Sequence, residues 1–204
     1  MSAAAARRVG LFGGAFDPPH RTHVALAEAA IAQLQLDVLH VVPTGHAWHK
    51  ARSLTPAVHR LAMCQLAFGT LARTVVDARE TERSGPSYTI DTLAALQAEY
   101  PQAQLYLLMG EDQARALAGW HRAEELGRAA IICVASRSGP PAFAAPPTAA
   151  PGVSGMALHW LQLPPSPLNA TDIRDRTAQG QSVSALVFDS VARYIDQHHL
   201  YQAR

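Results

Sequence analysis

Short apolar runs that stop at glycine or proline, separated by segments of helical periodicity, recur along this chain and constrain its fold more than any other feature. Residues 9–12 form such a run and end at Gly13-Gly14. Residues 37–42 are largely β-branched and apolar and end at Pro43; residues 104–109 break at Gly110; residues 129–135 form another. A run that is apolar at successive positions, rather than alternate ones, reads as a strand buried on both faces. Residues 73–77 and 158–163 add two more strands. Between the runs, Val24, Ala27, Ile31 and Leu34 share one helical face, and Ile90, Leu93 and Leu96 restore that spacing after a loop at Ser84-Gly85-Pro86-Ser87. Thr55-Pro56 offers a cap and a first-turn proline for a helix through Val58, Leu61 and Gln65 to Gly69. Residues 114–117 read as a short helix. Strands that need cover on both faces, alternating with helices, predict an α/β fold: a doubly wound parallel sheet with helices on each side.

After Pro164-Pro165 the pattern turns helical, with one helix from Thr171 and a second from Val183 that buries Leu186, Val187, Val191, Tyr194 and Ile195. The expectation is a single domain over residues 1–204 with a small helical C-terminal part over 165–204. Residues 136–154, rich in Ala, Pro and Gly, read as an exposed loop.

Composition excludes several classes. With 49% hydrophobic and 16% charged residues, the chain can bury a core. A formal net charge of +1 argues against tracking along nucleic acid, while leaving room for a local basic pocket. Cys64 and Cys133 are far apart and form no CxxC, which rules out a disulfide framework and a cysteine-rich zinc module. No apolar run approaches the roughly 20 residues needed to cross a bilayer. The first eight residues put their positive charge after a short alanine run, the reverse of a secretory signal. The expectation is a soluble cytoplasmic protein with reduced thiols and no membrane partner.

The strongest local signal is Gly13-Gly14-Ala15-Phe16-Asp17-Pro18-Pro19-His20-Arg21-Thr22-His23, where the first strand hands over to the first helix. Ligands of parallel sheets bind at the carboxyl ends of strands. Glycines there let the backbone approach a phosphate, and a helix N-terminus favours an anion. Neither the G-x-G-x-x-G dinucleotide fingerprint nor the G-x-x-x-x-G-K-[ST] loop is present. Two histidines three residues apart stand here instead, on one side of the first helical turn. A zinc pair lacks an evident third ligand. A capping or packing pair needs no chemistry. Phosphate ligands that stabilise developing charge fit the glycine turn and the helix dipole best.

These residues resemble the G-G-x-F-D-P-x-H-x-G-H signature of nucleotidyltransferases with an H-x-G-H motif. Pro86-Ser87-Tyr88-Thr89, Gly110-Glu111-Asp112, Trp120, Asn169-Ala170-Thr171-Asp172-Ile173-Arg174 and the ending Tyr194–Tyr201 are similar, in that order, to the nicotinate-nucleotide adenylyltransferase family. The resemblance runs from Val9 to Tyr201. The chain departs from the pattern in two places: Thr22 stands where the family has glycine, and Ala47-Trp48 precede the retained His49-Lys50. A threonine adds a β-branched side chain where the nucleotide approaches.

The resemblance implies a Rossmann-like nucleotidyltransferase fold and adenylyl transfer from ATP to nicotinate mononucleotide, with Mg²⁺ on the ATP phosphates. It implies catalytic roles for His20, His23, Lys50 and Arg174. The ATP site would comprise Gly13, Gly14, Phe16, Asp17, His20, His23, Gly110, Asp112, Thr171 and Arg174. The second substrate would meet Ser87, Tyr88, Thr89, Trp120 and His121, with Trp120 stacking on the pyridine ring. No protein metal site is implied, the partners are the two small molecules, and a homo-oligomer is compatible with the sequence. Each residue also has a plainer reading: Thr171 or Asp112 as a helix cap, Arg174 as a surface arginine, Trp120 as core. The alternatives in function are adenylyl transfer to nicotinamide mononucleotide or phosphopantetheine, or a nucleotide-binding regulator with weakened catalysis. His198 and His199 read as surface residues, and both cysteines as small core hydrophobes.

Overall fold

The computed structural model describes residues 6–45, 54–135, 148–149 and 157–202. In chain order the elements are β1 (Arg8–Gly14), α1 (Arg21–Gln33), β2 (Val38–Pro43), α2 (Ala57–Phe68), β3 (Thr74–Val76), α3 (Arg79–Glu82), α4 (Thr89–Glu99), β4 (Gln104–Gly110), α5 (Glu111–Arg115), α6 (Ala123–Ala129), β5 (Ile131–Ala135), β6 (Thr148–Ala149), β7 (Ala157–Leu161), α7 (Ala170–Ala178) and α8 (Asp189–Gln197). A 3₁₀ turn, Leu117–Gly119, lies between α5 and α6.

The sheet order is β3-β2-β1-β4-β5-β7-β6. Every pair from β3 to β7 is parallel. β6 alone runs antiparallel, through Thr148↔Leu158 and Ala149↔Ala157. The order reverses between β1 and β4, so their carboxyl ends, Gly14 and Gly110, flank the crevice where an open α/β sheet binds ligands.

The apolar runs are explained by the two faces. Leu11 and Leu107 belong to one buried cluster with Leu93, Leu96 and Leu126, which lie on α4 and α6. Their neighbours Phe12 and Leu108 belong to the other, with Ala27, Met63, Phe68 and Ile195 of α1, α2 and α8. Successive strand residues feed opposite cores, hence no polar alternation. The central strand accepts the close approach of its covering layer only because residue 10 is glycine: a Cβ there would lie 2.7 Å from Leu36 Cδ1 and from Leu39 Cδ1.

Several boundaries differ from the sequence expectation. The last helix starts at Asp189, not Val183. Val183 and Val187 are buried, but in a turn whose Val183 carbonyl accepts both the Leu186 and Val187 N–H groups, and extended Phe188 (φ −74°, ψ 150°) breaks it from the helix. The strand expected from residue 129 begins at Ile131, because Ala129 closes α6, a helix the periodicity missed along with α3. The strand expected over 158–163 is Ala157–Leu161, and that over 73–77 is only Thr74–Val76. α2 starts after Pro56 rather than being capped by Thr55, whose N–H and carbonyl are engaged by Asp17 and Arg60. The short helix expected at 114–117 begins earlier, at Glu111. Within the expected 136–154 loop, Thr148–Ala149 forms the antiparallel edge; the remainder lies outside the described residues.

The two helices of the C-terminal part share the main core, with Ile173, Val191 and Ile195 fully buried in it beside Val187 of the turn between them. Cys64 and Cys133 are free and buried, as their reading as core hydrophobes predicts. Burial pushes the Cys133 thiol up to about 12 and that of Cys64 higher still, so neither supplies a thiolate at neutral pH. Among the described residues no helix is long and apolar enough to cross a membrane.

Candidate active site

One cavity of about 580 Å³ opens at the carboxyl ends of β1 and β4. Gly13, Gly14, Phe16, Asp17, His20, His23, Gly110, Asp112, Thr171, Arg174, Ser87, Tyr88, Thr89, Trp120 and His121 all line it. Lys50 lies outside the described residues. Segments as distant as residues 13 and 174 are thus brought to one crevice by the sheet's reversal.

On the α1 side, the two histidines stack with ring centroids 3.7 Å apart and planes 28° from parallel. His20 is the N-cap of α1, and its backbone N–H donates to His23 Nδ1 at 3.1 Å. His23 therefore caps its own helix with Nδ1. In the neutral ring the proton must then reside on Nε2, the nitrogen left to act as a donor. Phe16 meets His23 edge-on at 5.1 Å and packs against Phe12 and Phe68. It does so from the left-handed backbone region (φ 46°), which costs a non-glycine residue on the order of 1 kcal/mol. Phe16 is only 2% exposed, and its ring packs edge-on against the His23 imidazole. Gly13 leaves the cavity wall open: a Cβ there would meet nothing within 4 Å.

At the mouth of the same lobe stands α7. Asn169 is its N-cap, accepting the Asp172 N–H at 2.9 Å, which removes the capping reading of Thr171. The Thr171 hydroxyl instead receives Arg174 Nη2 at 2.9 Å, while Arg174 Nη1 donates to the Asp17 carbonyl at 2.9 Å. A guanidinium, a hydroxyl and two helix N-termini, those of α1 and α7, face one crevice, a combination that suits an anionic ligand. Asp17 is the hub. Its buried carboxylate takes the Tyr201 hydroxyl at 2.7 Å and the Thr55 N–H at 3.3 Å. Burial and the Asp17 carboxylate hold the Tyr201 phenol well above its usual range, so it stays a donor.

The opposite lobe is built by the N-terminus of α4 and the turn before α6. Tyr88 stacks on His121 at 4.0 Å and 24°, with Trp120 beside them on the cavity wall. This aromatic corner suits a planar ring. Asp112 is the second residue of α5, whose N-cap is Gly110, so the capping reading of Asp112 fails as well.

Sequence reasoning missed three residues here. Glu80 lines the cavity and is buried; burial raises its pKa, partly offset by the Thr92 hydrogen bond (2.7 Å) and the charge of Arg83. Gly45 must be glycine, since a Cβ would fall 1.9 Å from the Glu80 carbonyl oxygen. Arg60, 2% exposed, donates to the carbonyls of Thr55 (2.8 Å), Ala15 (2.9 Å) and Gly45 (3.3 Å), pinning the loops after β1 and β2. Its signal in the sequence is an arginine on the same helical stripe as Met63, Cys64 and Ala67. Among the described residues no three His, Cys, Asp or Glu side chains converge as a metal site.

The sequence model of the cytidylyltransferase-like family matches residues 11–176. A protein of Albidiferax ferrireducens named probable nicotinate-nucleotide adenylyltransferase is 54% identical over 96% of this chain and 98% of its own. One of the same name from Methylibium petroleiphilum is 42% identical over 98% of this chain and 95% of its own. Among solved structures, Plasmodium falciparum nicotinic acid mononucleotide adenylyltransferase complexed with NaAD superposes with a TM-score of 0.78 at 18% identity, covering 96% of this chain and 97% of that one. The two chains share the doubly wound fold.

Proposed function

This chain belongs to the cytidylyltransferase-like family, among its nicotinate-nucleotide adenylyltransferases, and from that premise we propose how its cavity transfers the adenylyl group of ATP to nicotinate mononucleotide, giving nicotinate adenine dinucleotide and pyrophosphate. The observation that carries the reading is a cavity lined by the His20–His23 stack, Thr171 and Arg174 and also by the Tyr88–His121 stack and Trp120.

The 5′-phosphate oxygen of the mononucleotide attacks the α-phosphorus in line, and the bond to the bridging oxygen of pyrophosphate breaks. The attacking phosphate is already ionised near neutral pH, so no general base is needed. Catalysis is positioning and charge stabilisation. His20 and His23 contact the α- and β-phosphates, His23 through Nε2–H, with Lys50 assisting. Thr171 and Arg174 hold the departing pyrophosphate, and Asp112 receives a ribose hydroxyl. Trp120 stacks on the pyridine ring, and the N-terminus of α4, at Ser87 to Thr89, receives its carboxylate. A carboxylate accepts two N–H donors where an amide must present a donor of its own. Mg²⁺ would enter with ATP and would be bound mainly through phosphate oxygens and water. We place the reaction in the cytoplasm.

The test is pyrophosphate release with ATP and a panel of acceptors: nicotinate mononucleotide, nicotinamide mononucleotide and phosphopantetheine. The expected result is turnover with a kcat/KM preference for the nicotinate form. Equal kcat/KM for both pyridines overturns the assignment of the aromatic lobe. ATP binding in calorimetry without turnover overturns the enzyme reading in favour of a regulator.

A further inference from the structure

Thr22 and Ser166 lie 144 residues apart in sequence, yet their hydroxyl oxygens are 2.7 Å apart on the wall of the phosphate lobe. Thr22 is on the first turn of α1, between the two stacked histidines. Ser166 lies in the segment that runs from β7 to the N-cap of α7, and its oxygen also accepts the Leu168 N–H at 3.4 Å. Either hydroxyl can be the donor of the pair. The tie therefore fastens the approach to Asn169, Thr171 and Arg174 directly onto the histidine turn.

We propose that the Thr22–Ser166 hydroxyl pair is a latch that positions the α7 phosphate-binding turn against the histidine turn, making both positioning residues for ATP rather than for the mononucleotide. The inference rests on the functional reading above. Three observations support it. The segment it holds has no regular secondary structure between Leu161 and Ala170, so its place must be fixed by side chains. The second link between the two turns, Arg174 to the Asp17 carbonyl, uses a guanidinium that must also serve the phosphates. Ser166 stands three residues before Asn169, the N-cap of the helix that carries Thr171 and Arg174, and Thr22 lines the same cavity as both. A glycine at position 22 offers no hydroxyl, so the threonine brings a tie that a glycine lacks.

The experiment compares Thr22→Val, Thr22→Ser, Ser166→Ala and the Thr22→Val/Ser166→Ala pair. The readouts are steady-state kinetics in both substrates and calorimetric binding of a non-hydrolysable ATP analogue, each beside a thermal melt. Thr22→Val keeps shape and loses the hydroxyl. It should raise the ATP KM and the analogue Kd roughly three- to tenfold, as for one neutral hydrogen bond, with the nicotinate mononucleotide KM within twofold. Ser166→Ala should do the same. The double variant should be no worse than either single, since both remove one interaction. Thr22→Ser should restore the ATP KM towards that of the parent. The proposal is overturned if the single effects add, if both substrates' KM values rise together, or if Thr22→Ser binds the analogue as poorly as Thr22→Val. Analogue binding decides it even if the parent protein does not turn over, a result that would overturn the functional reading alone.

Discussion

The backbone N–H of His20 donates to Nδ1 of His23 at 3.1 Å, beneath a 3.7 Å stack of the two rings. Capping and chemistry are thus not rival roles for His23. The cap occupies one ring nitrogen and, by fixing the tautomer, makes the other a donor.

Removing this ring should carry both costs at once. His23→Ala should lower kcat by roughly 10²-fold, as for loss of one preorganised donor, with a smaller change in KM. It should also lose about 1 kcal/mol of stability from the cap. His23→Asn keeps an acceptor for the His20 N–H and should recover the melting temperature without recovering kcat. Normal turnover in His23→Ala after correction for the folded fraction removes His23 from the catalytic set.

Trp120 should act on one substrate only. Trp120→Ala should raise the nicotinate mononucleotide KM roughly tenfold by loss of ring stacking, with the ATP KM nearly unchanged. Steady-state kinetics with each substrate varied in turn reads this directly. A parallel rise in both constants places Trp120 in the core.

Arg60 is buried and bonded to three backbone carbonyls. Arg60→Met leaves those acceptors unpaired and should cost on the order of 3 kcal/mol. A lower urea midpoint at unchanged slope shows it. Arg60→Lys should recover only part, because a compact ammonium does not span the three acceptors of a planar guanidinium.

Acid should weaken the fold through Asp77. Burial alone would raise its pKa, but hydrogen bonds from His40 (2.8 Å) and Arg79 (2.7 Å) outweigh it and hold the carboxyl well below the usual range. A depressed folded-state pKa gives stability that is complete above the unfolded value of roughly 3.9 and is lost as pH falls from there through the folded value. Asp77→Asn should melt earlier at pH 7 and show a flatter loss of melting temperature between about pH 5 and pH 3. A slope equal to the parent's assigns the acid sensitivity to another group.

The sequence by itself determined the doubly wound sheet and the glycine–histidine turn that lines the cavity. Apolar residues at successive positions, as at Leu11 and Phe12, demand cover on both faces, and Gly13-Gly14 followed by His20 and His23 marks where the first strand yields to the turn that lines the cavity. Those signals are local, carried by residues within one or two turns of each other. What only the tertiary structure decided is every relation across the crevice. Asp17 meets Tyr201 and Arg174, and Thr22 meets Ser166, over separations of 184, 157 and 144 residues. Helices α3 and α6 were missed because they are too short to show a period. Arg60 shares a buried stripe with Met63, Cys64 and Ala67, yet its partners, like the Thr92 hydroxyl that meets Glu80, are set only when the loops fold over them. Periodicity reports which face of an element is buried; only the closed fold shows which polar atoms meet there.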